Sequence, residues 1–344
     1  MNTQNNYQFI ILGLGSIGKR HAEFLNGFQG ELVCVDPSKE ARDWAESTFQ
    51  GSSNVFASLE GATEKIKNSS LKKVGVISNW GTLHYVSAKA LIELGVINLY
   101  IEKPIANSLQ AIDGLKNINS NVKLIGGFQN RYTKIFETVH KISEEKLGGP
   151  PAMIVINGGA AGMVTNGIHF LDLAISIFNK YPTSVVSNLT SLNINPRSKD
   201  LDFWEGSASW NFDNNQLLTI NFTNSSSVRQ SSEIFCPNGK IKINEDMTID
   251  IFERDQEEML ADNRVIRLGT ATRTNQSSIK PDGDKLFERI FEPLFDERVS
   301  VNRERELIAT QAMIYALIAN QMEKKLKIGA DVGKQFYNLE WKIS

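Results

Sequence analysis

Gly13, Gly15 and Gly18 stand in a G-x-G-x-x-G spacing at the end of the apolar run Phe9-Ile10-Ile11-Leu12, and Asp36 follows 18 positions after Gly18. Glycines so spaced can cradle a pyrophosphate: Gly13 makes the tight turn, Gly15 lets backbone approach the phosphates, and Gly18 lets a helix pack on the strand. Ser16 and Ile17 open that helix, whose N-terminus offers unpaired N–H groups and a positive dipole end to an anion. Asp36 closes the next apolar run, Leu32-Val33-Cys34-Val35, where a carboxylate can take both hydroxyls of an adenosine ribose. The expected ligand is a dinucleotide. The carboxylate favours NAD, because it repels the 2′-phosphate of NADP. Lys39 and Arg42 are near enough in sequence to soften that repulsion, which leaves NADP open.

A second group with chemistry is Glu102-Lys103-Pro104, at the end of the run Asn98 to Ile101. A lysine at a strand end can donate to a substrate oxygen, and Pro104 confines the Lys103 backbone to extended conformations. A solvated loop lysine is the ordinary alternative.

These residues need a frame. Residues 9 to 125 alternate short apolar runs (Phe9 to Leu12, Glu31 to Val35, Lys73 to Ser78, Asn98 to Glu102, Val122 to Gly126) with amphipathic stretches near Ser16 to Leu25, Ser38 to Glu46, His84 to Leu94 and Ser108 to Asn119. Continuous apolar strands alternating with helices imply an α/β fold, a doubly wound parallel sheet covered on both faces. Ligands of such sheets bind at the carboxyl ends of the strands, so Asn79, Lys103 and Phe128 are expected to line the same crevice as Gly15.

Beyond residue 126 the texture changes. A helix is expected over Lys134 to Lys146, then period-two runs at Ala152 to Asn157, Glu205 to Phe212, Gln216 to Phe222 and Lys240 to Ile243. Such runs predict an antiparallel sheet with one wet face. A long helix is expected over Arg303 to Lys325, and residues 255 to 285, polar with Gly and Pro, read as loop. The change of texture divides the chain into residues 1–125, a nucleotide-binding domain, and residues 126–344, a second domain.

Composition excludes several classes. A formal net charge of -2 lacks the basic excess of a nucleic-acid binder. No apolar run approaches the ~20 residues of a membrane span, and the first eight residues are polar, without a signal-peptide pattern. Cys34 and Cys236 make neither a disulfide framework nor a metal site. The expectation is a cytoplasmic protein with no metal, no membrane and no nucleic acid.

The glycine turn, Ile77-Ser78-Asn79-Trp80-Gly81-Thr82-Leu83-His84, Glu102-Lys103-Pro104, Gly127-Phe128-Gln129-Asn130-Arg131-Tyr132 and Gly167-Ile168-His169-Phe170-Leu171-Asp172 occur in that order. The ordered set resembles the Gfo/Idh/MocA oxidoreductases, the relatives of glucose–fructose oxidoreductase and inositol dehydrogenase. The resemblance implies an N-terminal Rossmann domain and a C-terminal α/β domain with a large open, mostly antiparallel sheet, often used for dimer or tetramer contacts. It also implies NAD(P)-dependent oxidation or reduction of a sugar, cyclitol or nucleotide-sugar. A segment like that around His169 is similar to relatives in bacterial surface-polysaccharide pathways.

Carried over residue by residue, Lys103 and His169 are the implied catalytic pair, and Asn79, Trp80, His84, Glu102 and Lys103 join the glycine turn around the cofactor. Arg131, Thr165, Asn166 and His169 are candidate substrate contacts, with Tyr132, Trp204 and Glu205 as weaker ones. His84 and His21 match family positions near the cofactor, His84 expected to cap or orient its loop and His21 to follow the phosphate turn. Asp172 fits helix packing better than chemistry.

Two positions depart from the family. Thr165 stands where relatives have an aspartate four residues before the histidine, and Asn79-Trp80 where they have Thr-Pro. A threonine can hydrogen-bond a hydroxyl but cannot act as a base near neutral pH. Either Lys103 and His169 carry the reaction, or the chain keeps the cofactor fold as an NAD(H)-binding sensor or regulator without turnover.

Overall fold

The structure, a computed structural model, describes residues 7–50, 53–159, 161–192, 194–195, 198–254, 274–280, 285–296 and 298–343. The chain folds into two compact units. The first comprises Met1–Phe128, Lys285–Gln311 and Val332–Ser344, and the second Gln129–Asp284 and Ala312–Asp331.

In the first unit β1 (Tyr7–Leu12), β2 (Gly30–Val35), β3 (Ser53–Phe56), β4 (Lys72–Ile77), β5 (Asn98–Ile101) and β6 (Lys123–Gly126) form a parallel sheet in the order β3-β2-β1-β4-β5-β6. β1 is buried at every position, as a strand covered on both faces must be. Its last residue, Leu12, is in register with Val35 of β2 and Ile77 of β4. The chain therefore leaves three neighbouring strands side by side at Gly13, Asp36 and Ser78. That is the switch point of a doubly wound sheet, where ligands of this architecture bind.

Five helices connect these strands: α1 (Ser16–Asn26), α2 (Lys39–Thr48), α3 (Leu59–Lys67), α4 (His84–Glu93) and α5 (Leu109–Lys116). Ser38, Ser58 and Ser108 cap α2, α3 and α5, each accepting from a backbone N–H three residues on. β3 and α3 are not marked in the sequence pattern. β3 is short, and α3 has only Ala62 and Ile66 on its buried face.

Three late segments complete this unit, although a division at residue 125 assigns them to the second domain. α8 (Leu286–Phe295) brings Phe287, Phe291 and Phe295 into an aromatic cluster with Tyr7, Phe9, His21, Phe24 and Phe28. α9 (Arg303–Gln321) is divided between the units after Gln311. Its Arg303 donates to the carbonyls of Lys116, Ile118, Asn119 and Val122. Its Glu306 and Thr310 accept from the N–H groups of Gly126 and Ile105. α10 (Gly333–Tyr337) adds a Tyr337 hydroxyl that donates to Asp113. Polar pairings between segments about 190 residues apart leave no periodicity to read, so composition could not place them.

The second unit holds a mixed, mostly antiparallel sheet of nine strands among the described residues. The strands are β7 (Met153–Gly159), β8 (Pro182–Leu192), β9 (Phe203–Phe212), β10 (Leu217–Thr223), β11 (Ser231–Cys236), β12 (Gly239–Ile243), β13 (Ile249–Arg254), β14 (Thr274–Ile279) and β15 (Leu326–Lys327). Their order is β14-β13-β12-β11-β7-β10-β9-β8-β15, with β7 and β10 the parallel pair. Leu218, Ile220 and Phe222 of β10 are buried while Thr219 and Asn221 face out, the alternation expected of a half-wet sheet. On the outer face Ser207 donates to Asn221 (2.6 Å) and Asn221 to Asn157 (2.8 Å), a polar row across three strands.

α6 (Lys134–Lys146) has the bounds read from the sequence, and α7 (Ile168–Phe178) buries Leu171, Asp172, Ile175 and Phe178. The loop expected over 255 to 285 is in part a strand, β14; residues 255–273 and 281–284 of that expectation lie outside the described residues. Among the described residues no helix is long and apolar enough to cross a membrane, and no His, Cys, Asp or Glu cluster could hold a metal.

Candidate functional site

The glycine turn is built for close backbone approach. Gly13 has φ +95°, and a Cβ there would lie 2.6 Å from Asn79 N and 2.7 Å from its Cα. Only glycine fits, both sterically and conformationally. The Ser78 hydroxyl donates to Gly13 O at 2.8 Å and fastens the turn to the end of β4. Nothing in the sequence around Ser78 marks it for this role, because the pairing joins residues 65 positions apart.

Gly15 is the opposite case. Its φ of −68° suits any residue, and a Cβ there would meet nothing within 4 Å. Gly15 is also the N-cap of α1 and supplies no side-chain cap, unlike the serines that cap α2, α3 and α5. An exposed glycine at an uncapped helix N-terminus leaves the N–H groups of the first turn, from Ser16, Ile17 and Gly18, to an external acceptor.

Asp36 stands beside this turn and is almost fully buried. Leu14 N donates to its Oδ2 at 2.6 Å and Ser38 N to its Oδ1 at 2.8 Å. An ionised carboxylate has about four acceptor positions, so two hydrogen bonds from backbone leave capacity for ribose hydroxyls. The neighbouring cations are already engaged. Arg42 donates to the carbonyls of Asp36 and Pro37, both at 2.8 Å, and Lys39 pairs with Asp43. Neither is arranged around a 2′-phosphate.

Past the end of β4, Asn79 donates to Ser87 Oγ at 2.9 Å, and its Oδ1 is buried with no hydrogen-bond partner among the described residues. Trp80 is 44% exposed at the start of the turn Gly81–Leu83. His84 lies between two carbonyls, Pro104 O at 2.8 Å from Nδ1 and Asn79 O at 3.0 Å from Nε2, and so ties the loop after β4 to the loop after β5. Burial pushes the His84 ring below the usual histidine range, against the opposing pull of those two carbonyls.

Glu102 is buried. His21 Nε2 lies 2.9 Å and the Tyr100 hydroxyl 2.7 Å from its Oε1, and Lys103 N donates to Oε2 at 3.3 Å. Burial alone would raise the Glu102 carboxyl; the hydrogen bond and charge of His21, the charge of Lys103 and the Tyr100 hydroxyl hold it down to about 2. Lys103 follows directly and is half-buried, with the Lys103–Pro104 peptide cis. Phe128, expected in the crevice, is instead a core residue at 1% exposure: its ring packs over Gly126.

The other candidates belong to the second unit. His169 is half-buried at the start of α7. The chain enters that helix through a widened turn, Met163–Gly167, closed by Gly167 N to Gly162 O at 3.2 Å. Such i→i−5 turns recur at functional sites. Thr165 is half-buried in this turn with its hydroxyl folded toward Gly162, and Asn166 is exposed.

Arg131 and Asp172 form a buried ion pair at 3.4 Å, and the guanidinium also lies 5.1 Å over the Tyr132 ring. Arg131 thus braces α7 one turn from His169. Trp204, at 8% exposure, packs in the core, and the Glu205 carboxylate accepts from Asn224 N at the turn after β10.

Two open concavities lie apart from these groups. One, of about 460 Å³, is at the amino ends of the parallel strands beside Glu31 and Lys65; the other, about 550 Å³, is on the sheet face around Asn157, Ser207 and Asn221.

The parallel sheet, the uncapped glycine turn and the carboxylate on the next strand define an NAD-binding Rossmann domain. Residues 7–125 match the family model for Gfo/Idh/MocA, an oxidoreductase family with an NAD-binding Rossmann fold. No curated protein matches the sequence closely enough to count as a relative.

Solved structures extend the likeness of fold to nearly the whole chain. An NAD-binding protein from Listeria innocua is 16% identical at a TM-score of 0.73, over 94% of this chain and 99% of that one. A transcriptional regulator from Kluyveromyces lactis is 14% identical at 0.69, over 95% of each chain. A UDP-N-acetylglucosamine 3-dehydrogenase from Acidithiobacillus ferrooxidans is 15% identical at 0.69, over 92% of this chain and 97% of that one.

The residues present fit NAD. The space above Gly15, the bare first turn of α1, Asp36 with its remaining acceptor capacity and Asn79 with its orphaned Oδ1 all lie just past the carboxyl ends of the parallel strands.

Proposed function

We propose that this protein is an NAD-dependent dehydrogenase or reductase acting on a hydroxyl or ketone of a sugar, cyclitol or nucleotide-sugar, with bacterial surface-polysaccharide biosynthesis as its setting. The observation that carries the reading is the uncapped N-terminus of α1 at Gly15, on the same sheet whose strand end presents Lys103. Gly13, Gly15, Ser16, Ile17, Gly18 and Asp36 hold the nucleotide, with Asn79, Trp80, His84, Glu102 and Lys103 around it. A scyllo-inositol dehydrogenase of this fold with NAD(H) and scyllo-inositol bound, and the UDP-N-acetylglucosamine 3-dehydrogenase of this fold, support the substrate class.

When bound, NAD supplies the hydride acceptor or donor. The charged Lys103 donates a hydrogen bond to the substrate oxygen and offsets the negative charge that grows there during oxidation. Neutral His169 takes the hydroxyl proton, a task that suits an imidazole near physiological pH. Thr165 and Asn166 hydrogen-bond substrate hydroxyls, and neither acts as a base. The first unit holds the nucleotide and contributes Lys103, and the second contributes His169, Thr165 and Asn166, in a cytoplasmic homodimer or homotetramer.

The test is the appearance of reduced nicotinamide with NAD, then NADP, against a panel of sugars, inositols and nucleotide-sugars. Turnover with NAD on at least one member, lost in Lys103→Ala, supports the reading. A second reading rests on Thr165, which replaces a carboxylate the family uses: an NAD(H)-binding regulator without turnover. Tight NAD(H) binding with no turnover on the whole panel favours that reading, and a regulator of this fold exists.

A further inference from the structure

His21 sits on α1, three residues past Gly18 and so one helical turn from the phosphate end of that helix. Its ring is fully buried, packed against Tyr100 (4.8 Å between centroids) and Phe287 and Phe291 (both 5.5 Å). Its one hydrogen-bond partner among the described residues is Glu102, through Nε2; Nδ1 has none. Glu102 in turn engages His21 and Tyr100 through Oε1, and the N–H of Lys103 through Oε2. Gly127 packs so closely that a Cβ there would lie 2.8 Å from Oε2, which leaves the carboxylate no alternative position on that side.

A buried carboxylate enclosed by aromatic rings is costly unless fully paired, and in such surroundings each hydrogen bond is stronger than in water. The helix that faces the phosphates and the candidate catalytic lysine are therefore joined by one side-chain bond and one peptide link. We propose that His21 is a positioning residue that, through Glu102, fixes Lys103 to the phosphate-binding helix and keeps a negative charge behind it. This rests on the dehydrogenase reading for its purpose, though not for its test.

The test compares wild type, His21→Leu, His21→Gln and Tyr100→Phe. Gln keeps an N–H donor close to the place of Nε2, whereas Leu removes it. Lysine acylation by acetic anhydride is followed by peptide mass spectrometry, with exposed Lys67 as the internal standard. In His21→Leu the Lys103 loop loses its hydrogen-bonded tie to α1. The Lys103 acylation rate relative to Lys67 should rise about threefold or more, with NAD+ affinity by calorimetry changed by less than that.

His21→Gln should return the rate to near wild type. Tyr100→Phe, which removes a hydroxyl from the same Oε1 with little change of shape, should raise the rate in the same direction and keeps the test available should His21→Leu not fold. Equal Lys103 rates in wild type and Tyr100→Phe, together with equal rates in any folded His21→Leu, would overturn the proposal. So would a His21→Gln rate as high as that of His21→Leu. Absence of turnover in wild type would count against the dehydrogenase reading alone, since the acylation result does not depend on it.

Discussion

Leu14 and Asp36 are joined across the end of the parallel sheet: the Leu14 N–H donates to Asp36 Oδ2 at 2.6 Å. The carboxylate proposed as a ribose ligand is therefore also a clasp for the glycine turn. Asp36→Ala should weaken NAD+ binding about tenfold or more, the worth of hydrogen bonds to a charged group, and also lower the melting temperature. Calorimetric titration and thermal unfolding of the same sample check both. A loss of affinity at unchanged stability would mean that the clasp contributes little.

Gly13 and Gly15 should separate stability from binding. Gly13→Ala places a methyl at φ +95° against the Asn79 backbone, and should destabilise by about 2–4 kcal/mol from conformational strain and overpacking. Gly15→Ala meets nothing within 4 Å and should leave stability within about 0.5 kcal/mol. It should nevertheless reduce NAD+ affinity, because the methyl occupies the space left for the phosphates. Denaturant unfolding with and without NAD+ distinguishes the two.

Glu102 makes stability depend on acid pH. Its carboxyl is held at about 2 in the folded protein against an ordinary 4.5, so between these values the unfolded chain binds more protons. The contribution is complete above pH 4.5 and is lost as pH falls toward 2, a change of about 3 kcal/mol. Urea unfolding across this window should show the slope in wild type and a shallower one in Glu102→Gln.

Arg131 and Asp172 are a structural pair, so breaking it should cost stability before it costs substrate affinity. Asp172→Asn leaves a buried guanidinium without its counter-charge and should destabilise by about 3–5 kcal/mol. Because the pair braces α7 near His169, kcat should fall further than KM rises. A variant with full stability and a large rise in KM would instead make Arg131 a direct substrate contact.

The parts of the fold legible in the sequence are those carried by periodicity and local punctuation. Continuous apolar runs mark β1, β2, β4, β5 and β6, and the spacing of Gly13, Gly15 and Gly18 marks the nucleotide turn with the strand before it and the helix after. What was hidden depends on long-range pairing. Glu306 to Gly126 N, Thr310 to Ile105 N and Arg303 to four carbonyls return late helices to the first unit, and no local pattern announces an acceptor so far along the chain. An aromatic at a strand start reads more readily as core than as a ligand contact, and the burial of Trp204 agrees with that. His21 follows the phosphate turn as its spacing implies, but its pairing with Glu102 is created by tertiary packing alone.

The measurement that bears most directly on the central claim is turnover in Lys103→Ala and His169→Ala, with NAD+ affinity determined on the same preparations and the substrate found by the panel. Both variants should bind NAD+ within about threefold of wild type while kcat falls about a hundredfold or more, as for loss of a proton-transfer or charge-stabilising group. Wild-type rates in either variant, or binding of NAD+ by the wild type with no reduction of it by any sugar, cyclitol or nucleotide-sugar, would contradict the account.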